Sequence, residues 1–164
     1  MTGGPLRRSI GMRTAGLAFV AAVAVALAPV AHGSALPANP ADPTITSGKA
    51  ARDLAAARAR WKLRGPSSYR FHVQRSCFCN PKQGQATITV RRGKPGAIEN
   101  DLDVVATVPR VFRVVAEAIR HQSTRLTVTY DKQRGFVRHV YIDRVAQIAD
   151  EEVGYDVTKF TPLP

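Results

Sequence analysis

Apolar and polar residues alternate strictly in two neighbouring stretches, 69–74 and 86–91. Successive side chains of a strand point to opposite faces, so this pattern predicts two strands that are buried on one face only. Similar alternation over 126–130 predicts another strand, 136–143 is expected to be the next and 154–160 the last, and a shorter strand is expected near 97–100. Half-buried strands joined by short turns favour an antiparallel sheet with one face open to solvent.

Two helices are predicted, one before each group of three strands. Ala50, Leu54, Ala57 and Trp61 recur at helical spacing after Ser47, which we take as the helix cap. Thr107 is the predicted cap of a second helix, with its apolar stripe at Val108, Val111, Phe112, Val115 and Ile119. The sequence therefore predicts an α+β fold in the order α-βββ-α-βββ. We expect an antiparallel sheet of about five or six strands, with both helices packed on one face.

The first 35 residues are typical of a secretory signal peptide. Arg7, Arg8 and Arg13 precede an apolar run from Ala15 to Ala28, and small residues follow. That run is shorter than the ~20 apolar residues of a membrane span, so we expect cleavage, with no membrane span in the mature chain. Residues 36–46 contain three prolines and are predicted to be a linker. A single α+β domain is expected over 47–164.

The charge of the chain is strongly positive. The formal net charge is +12, and three of the arginines lie in the predicted signal peptide, which leaves +9 for residues 36–164. The basic residues are spread through every predicted element, and few aromatic residues are interleaved with them for base stacking. We therefore expect no nucleic-acid partner. An envelope protein or an anionic polymer of the cell envelope is the expected partner.

The only two cysteines, Cys77 and Cys79, are one residue apart in the segment RSCFCNP. Residues i and i+2 of a strand are about 6.5 Å apart, within the ~6.8 Å limit of a disulfide. Export would favour oxidation, so we predict a disulfide between them. Its short loop would contribute only about 1.5 kcal/mol of stability. A redox-active pair and a metal clamp remain alternatives.

Motifs of catalysis are missing from the sequence. No G-x-S-x-G, HExxH, calcium loop or glycine-rich phosphate loop occurs. We therefore expect no catalytic residues, no metal site and no cofactor. The predicted polar face of the first two strands carries Arg70, His72 and Arg91 with Thr87 and Thr89, and we nominate Arg70, His72 and Arg91 for ligand contact.

Several landmarks together resemble a known family. They are Ala57-Arg58-x-x-Trp61, Gly65-Pro66-x-Ser68-Tyr69, Cys77-Phe78-Cys79, Thr107-Val108 with Phe112, Val128-Thr129-Tyr130-Asp131, Gly135-Phe136, Ile142-Asp143 and Ala149-Asp150-Glu151-Glu152 with Tyr155. The chain resembles the domain-of-unknown-function family numbered 6174, which consists of exported bacterial proteins. The resemblance implies export and the α+β fold, and it implies no activity. Our prediction is therefore an exported, non-catalytic binding or structural module, with a thiol-disulfide or metal-handling protein as the alternative.

Overall fold

Six strands form one antiparallel sheet in the computed structural model, which describes residues 39–77, 84–98, 101–148 and 150–164. The strands are β1 (Tyr69–Ser76), β2 (Gln85–Arg91), β3 (Lys94–Pro95), β4 (Arg125–Tyr130), β5 (Val137–Asp143) and β6 (Val153–Pro162). Their order across the sheet is β3-β2-β1-β6-β5-β4. The predicted α+β fold with an antiparallel sheet is confirmed.

The helices of the described ranges are α1 (Pro43–Thr46), α2 (Lys49–Arg64), a 3₁₀ helix (Asp101–Val105) and α3 (Val108–Arg120). Each half of the chain has the same connectivity, because α2 precedes the meander β1-β2-β3 and α3 precedes the meander β4-β5-β6. The last strand, β6, pairs with the first, β1, and this pairing joins the two halves into one sheet. The predicted order α-βββ-α-βββ therefore holds, with α1 and the 3₁₀ helix added to it.

Both long helices bury the stripes that their sequences predict. The buried residues of α2 are Ala50, Leu54 and Ala57, and those of α3 are Val108, Val111, Phe112, Val115 and Ala118. They form one core with the inward side chains of the central strands, among them Phe71, Val73, Val140 and Ile142. Trp61 is half-buried against this core, and its ring meets the ring of Tyr69 edge-on at 5.4 Å. This packing agrees with its predicted place in the core.

The start of α3 is tied directly to β1. The hydroxyl of Thr107 accepts a hydrogen bond from the N–H of Arg110 at 3.3 Å, so the predicted cap is confirmed. The hydroxyl of Tyr69 accepts a hydrogen bond from the N–H of Val108 at 3.0 Å. Burial raises the pKa of Tyr69, and the bond from Val108 offsets only part of that rise. A neutral phenol therefore satisfies a buried donor at the helix terminus.

The predicted boundary between linker and domain differs from the structure. Part of the 36–46 segment, Pro43–Thr46, forms α1 and packs Ile45 into the core. Asp42 is the N-cap of this short helix, and Ser47 follows its end, so the prediction that Ser47 caps the long helix is wrong. Gly48 occupies the N-cap position of α2 with a φ of 71°, a left-handed conformation that glycine tolerates.

The third strand is also earlier than predicted. A strand was expected near 97–100, whereas β3 is Lys94–Pro95 and pairs with the end of β2. The turn between them contains Arg92 and Gly93, both with positive φ, at 49° and 76°. Two such residues are typical of a tight hairpin turn, which reverses the chain at once and lets Lys94 and Pro95 pair with β2. Residues 99 and 100 of the expected strand lie outside the described residues.

The predicted signal peptide, residues 1–35, lies outside the described residues. Over the ranges that the structure describes, the helices all fall short of the length and apolar character that a membrane crossing requires.

Candidate functional site

One face of the sheet carries no helix from the ranges that the structure describes, and we call it the open face. Its nominated side chains lie in cross-strand pairs, because the register places Arg70 opposite Thr89 and His72 opposite Thr87. The Nε of Arg70 donates to the hydroxyl of Thr89, and the Nδ1 of His72 contacts the hydroxyl of Thr87, both at 3.3 Å. Arg91 follows two residues after Thr89 and is exposed. The structure thus brings the nominated residues together, while their role in ligand contact stays a prediction.

Residues that the sequence analysis did not nominate extend the open face across the sheet. Asp156 on β6 lies opposite Gln74 of β1 and opposite His139 of β5. Its carboxylate lies 2.8 Å from the Nδ1 of His139. The guanidinium of Arg125 lies 5.7 Å from the centroid of the Tyr141 ring. Alternation within β4, β5 and β6 would have placed these side chains on the polar face, but only the pairing register shows which of them meet.

The charges of the open face are only partly compensated. The ion pairs of the described residues join Lys49 to Asp53, Arg110 to Asp103, Glu117 to Arg120 and His121, and His139 to Asp156. The carboxylate of Asp156 is therefore engaged by His139. Arg70 and Arg91 take part in none of these pairs, so within the described part of the chain the β1–β2 side of the open face has two guanidinium groups without an ion-pair partner. Such groups attract anions and can bind carboxylate or phosphate in a bidentate manner.

The cysteine segment begins where β1 ends. Cys77 is half-buried and follows Ser76, and both line a depression of about 390 Å³ together with Tyr141 and Glu152. Gly154 lies opposite Ser76, and a Cβ on this glycine would overlap the Ser76 hydroxyl. The absence of a side chain at Gly154 therefore leaves room for the Ser76 hydroxyl beside Cys77. Cys79 lies in the 78–83 gap outside the described residues, and so does its predicted bond to Cys77.

The inner side of the same strand end holds a buried tyrosine. Arg75 lies opposite Tyr155 in the β1–β6 register. Burial raises the pKa of Tyr155, and the positive charges of Arg75 and Arg144 offset part of the rise. Among the described residues, no group of three or more His, Cys, Asp or Glu side chains is arranged to hold a metal ion.

These features define a two-layer α+β protein with a helix-covered face and an open polar face. The chain belongs to the family described as a family of unknown function (DUF6174), whose model matches residues 53–162. This match confirms the family that the sequence landmarks indicate. A search of curated proteins and a search of solved structures found no match.

Proposed function

We propose that the protein is an exported, non-catalytic binding module of the cell envelope, whose open face contacts an anionic polymer. The observation that supports this most is the paired arrangement of Arg70 and His72 with threonine hydroxyls, next to Arg91, which is absent from the ion pairs formed among the described residues. Guanidinium groups supply charge, and hydroxyl groups supply adaptable hydrogen bonds. A flat sheet surface suits a long ligand better than a small one, since small ligands favour concave sites.

The open face also offers hydroxyl groups along its length. Exposed threonines occur on several strands at outward positions, namely Thr87 on β2, Thr127 and Thr129 on β4, and Thr158 and Thr161 on β6. An extended polyanion could cross several strands and meet a donor on each. The net charge of +9 over residues 36–164 would steer such a ligand toward the protein. An acidic surface of an envelope protein would use the same groups.

Binding of labelled polyphosphate, followed by fluorescence anisotropy at several salt concentrations, tests the proposal. The double variant Arg70→Gln/Arg91→Gln is expected to weaken binding by about tenfold or more. It should also lower the slope of log K against log salt by about one or more. The matched control Lys62→Gln/Lys132→Gln removes the same charge from exposed sites on α2 and the β4–β5 loop. It should change affinity by less than about threefold.

Equal loss of affinity in both double variants would show attraction by net charge alone and would reject the open face as the binding surface. A single-stranded oligonucleotide of matched charge serves as a second ligand. We expect it to bind more weakly than polyphosphate, because the open face offers little aromatic surface for base stacking. Tighter binding of the oligonucleotide would contradict the expected class of partner.

Export and the cysteine state are tested together by the intact mass of the protein recovered from its native host, with thiol alkylation before and after reduction. We expect a chain that begins after Gly33 or Ala35 and carries a Cys77–Cys79 disulfide. Alkylation should therefore occur only after reduction. Support comes from the described residues, which include no free cysteine. A full-length chain that is alkylated at both cysteines without reduction would contradict the proposal.

A thiol-disulfide or metal-handling function is the second candidate, and the depression beside Cys77 favours it. Its volume of about 390 Å³ leaves room for an incoming thiol or a small ligand next to the sulfur. This candidate requires a bond that mild reductants open in the native protein, since labile disulfides have relatively oxidising potentials. It also requires that Cys77→Ser abolishes function while folding is retained. A native-state bond that resists mild reductant would leave the binding module as the better account.

A further inference from the structure

A cleft lies on the helix side of the molecule, away from the open face. It is formed by α2, by the first turns of α3 and by the β2–β3 turn, and its volume is about 470 Å³. Pockets for small molecules commonly have volumes of about 300–1,000 Å³. Its charged and aromatic lining residues are Arg58, Trp61, Arg110, Phe112 and Arg113. The cleft therefore has the size of a small-ligand site and an unusual lining.

Three guanidinium groups line this cleft, and its described lining residues include no carboxylate. Arg110 is neutralised from outside the cleft by Asp103. Arg58 donates a hydrogen bond to the Phe112 carbonyl at 3.2 Å, and none of the ion pairs of the described residues involves it. Arg113 is exposed and takes part in none of the ion pairs of the described residues. Like charges that converge without a counter-ion repel one another, so an anion in the cleft would be stabilised by at least Arg58 and Arg113.

Two aromatic rings provide the apolar part of the lining. Trp61 is half-buried, and its ring makes T-shaped contacts with the rings of Tyr69 and Phe160, at centroid distances of 5.4 Å and 5.9 Å. Phe112 lies on α3, and the Arg58 guanidinium lies 6.0 Å from its ring centroid. Phe112 is only 3% exposed and helps to position Arg58, so the half-buried indole of Trp61 is the flat surface on which a planar ligand can stack. The cleft thus combines positive charge with aromatic surface.

We infer that this cleft binds a small aromatic carboxylate, independently of any polymer on the open face. The ring of the ligand stacks against Trp61, and its carboxylate is held by the guanidinium groups of Arg58 and Arg113. An Arg–carboxylate pair of this kind is often bidentate, which orients a planar anion as well as attracting it. A ligand with only a ring would contact Trp61 alone, and a ligand with only a carboxylate would contact the arginines alone.

Trp61 is the only tryptophan of the chain, so its fluorescence reports directly on this cleft. The protein is titrated with 2-naphthoate, with 2-naphthalenemethanol as the neutral ring and with acetate as the charge without a ring. Saturable quenching is expected with 2-naphthoate, and binding at least tenfold weaker is expected with each of the other two. Calorimetry in the same buffer measures the affinity without relying on the optical signal.

Arg113→Gln is expected to weaken 2-naphthoate binding by about tenfold, the usual loss when one hydrogen bond to a charged group is removed. Arg120→Gln is the matched control, because Arg120 lies on the same helix, is exposed and pairs with Glu117. It should leave the affinity within about twofold. Circular dichroism of each variant verifies the fold, which the exposed position of both arginines should preserve. Equal binding of 2-naphthoate and 2-naphthalenemethanol, or unchanged affinity in Arg113→Gln, would overturn the inference.

Discussion

Replacing Gly135 by alanine is expected to lower the free energy of unfolding by about 3–5 kcal/mol. Gly135 lies in the β4–β5 connection with a φ of 85°, a conformation that costs other residues strain. A Cβ at this position would also overlap the carbonyl oxygen of Ala57 in the middle of α2. Because that oxygen is a backbone atom of a helix, it cannot rotate away, and the connection and α2 would have to separate.

Gly93→Ala separates the two causes of this loss. Gly93 has a similar φ of 76°, but an added Cβ would meet no atom within 4 Å. Its substitution should therefore cost only the backbone strain, about 1–2 kcal/mol. Denaturant unfolding of both variants measures the difference, which reports the contact between Gly135 and α2. Equal losses in the two variants would show that this contact does not stabilise the protein.

Asp42→Ala is expected to cost about 3 kcal/mol, as the sum of a lost helix cap and an unpaired buried donor. Asp42 is 8% exposed. One of its carboxylate oxygens accepts hydrogen bonds from the N–H of Thr44 at 2.7 Å and from the Thr44 hydroxyl at 2.6 Å. The other accepts the N–H of Leu126 on the edge strand β4 at 2.9 Å. Asp53→Ala is the control, because Asp53 forms only an exposed pair with Lys49 and should cost less than about 1 kcal/mol.

The stabilisation from Asp42 should depend on pH. Burial alone would raise the pKa of Asp42, but the hydrogen bonds from Thr44 and Leu126 and the charge of Arg125 together lower it. A carboxyl whose pKa is lower in the folded state stabilises the protein above its unfolded pKa of about 4. That contribution is lost as the pH falls through the folded-state value. The difference in unfolding free energy between the wild type and Asp42→Asn should shrink between about pH 6 and pH 3, and a constant difference would contradict this assignment.

Local patterns were sufficient to predict the β1–β2 part of the open face. A hairpin pairs residues that are close in sequence, so the alternation in β1 and β2 was enough to place Arg70 and His72 beside two threonines. The contact between His139 and Asp156 could not be found in this way. It joins consecutive strands 17 residues apart, but the connection between β5 and β6 is long and leaves their pairing register unspecified in the sequence.

The role of Asp42 escaped the sequence analysis for a related reason. Prolines around it favour a linker, and nothing nearby shows that its carboxylate accepts a hydrogen bond from Leu126, 84 residues later. Serine is a residue type that is favoured at helix N-caps, yet the chain forms a separate short helix before Ser47. The helix-side cleft was missed as well, because Arg58 and Arg113 come from different helices and meet only after folding.

The binding surface is tested most directly by backbone amide NMR of the protein during titration with polyphosphate. If the open face binds the polymer, we expect the largest chemical-shift changes at the open-face positions of β1 and β2, centred on Arg70, His72, Thr89 and Arg91. Smaller changes should extend to His139. Changes confined to the exposed faces of α2 and α3, with β1 and β2 unaffected, would contradict the account.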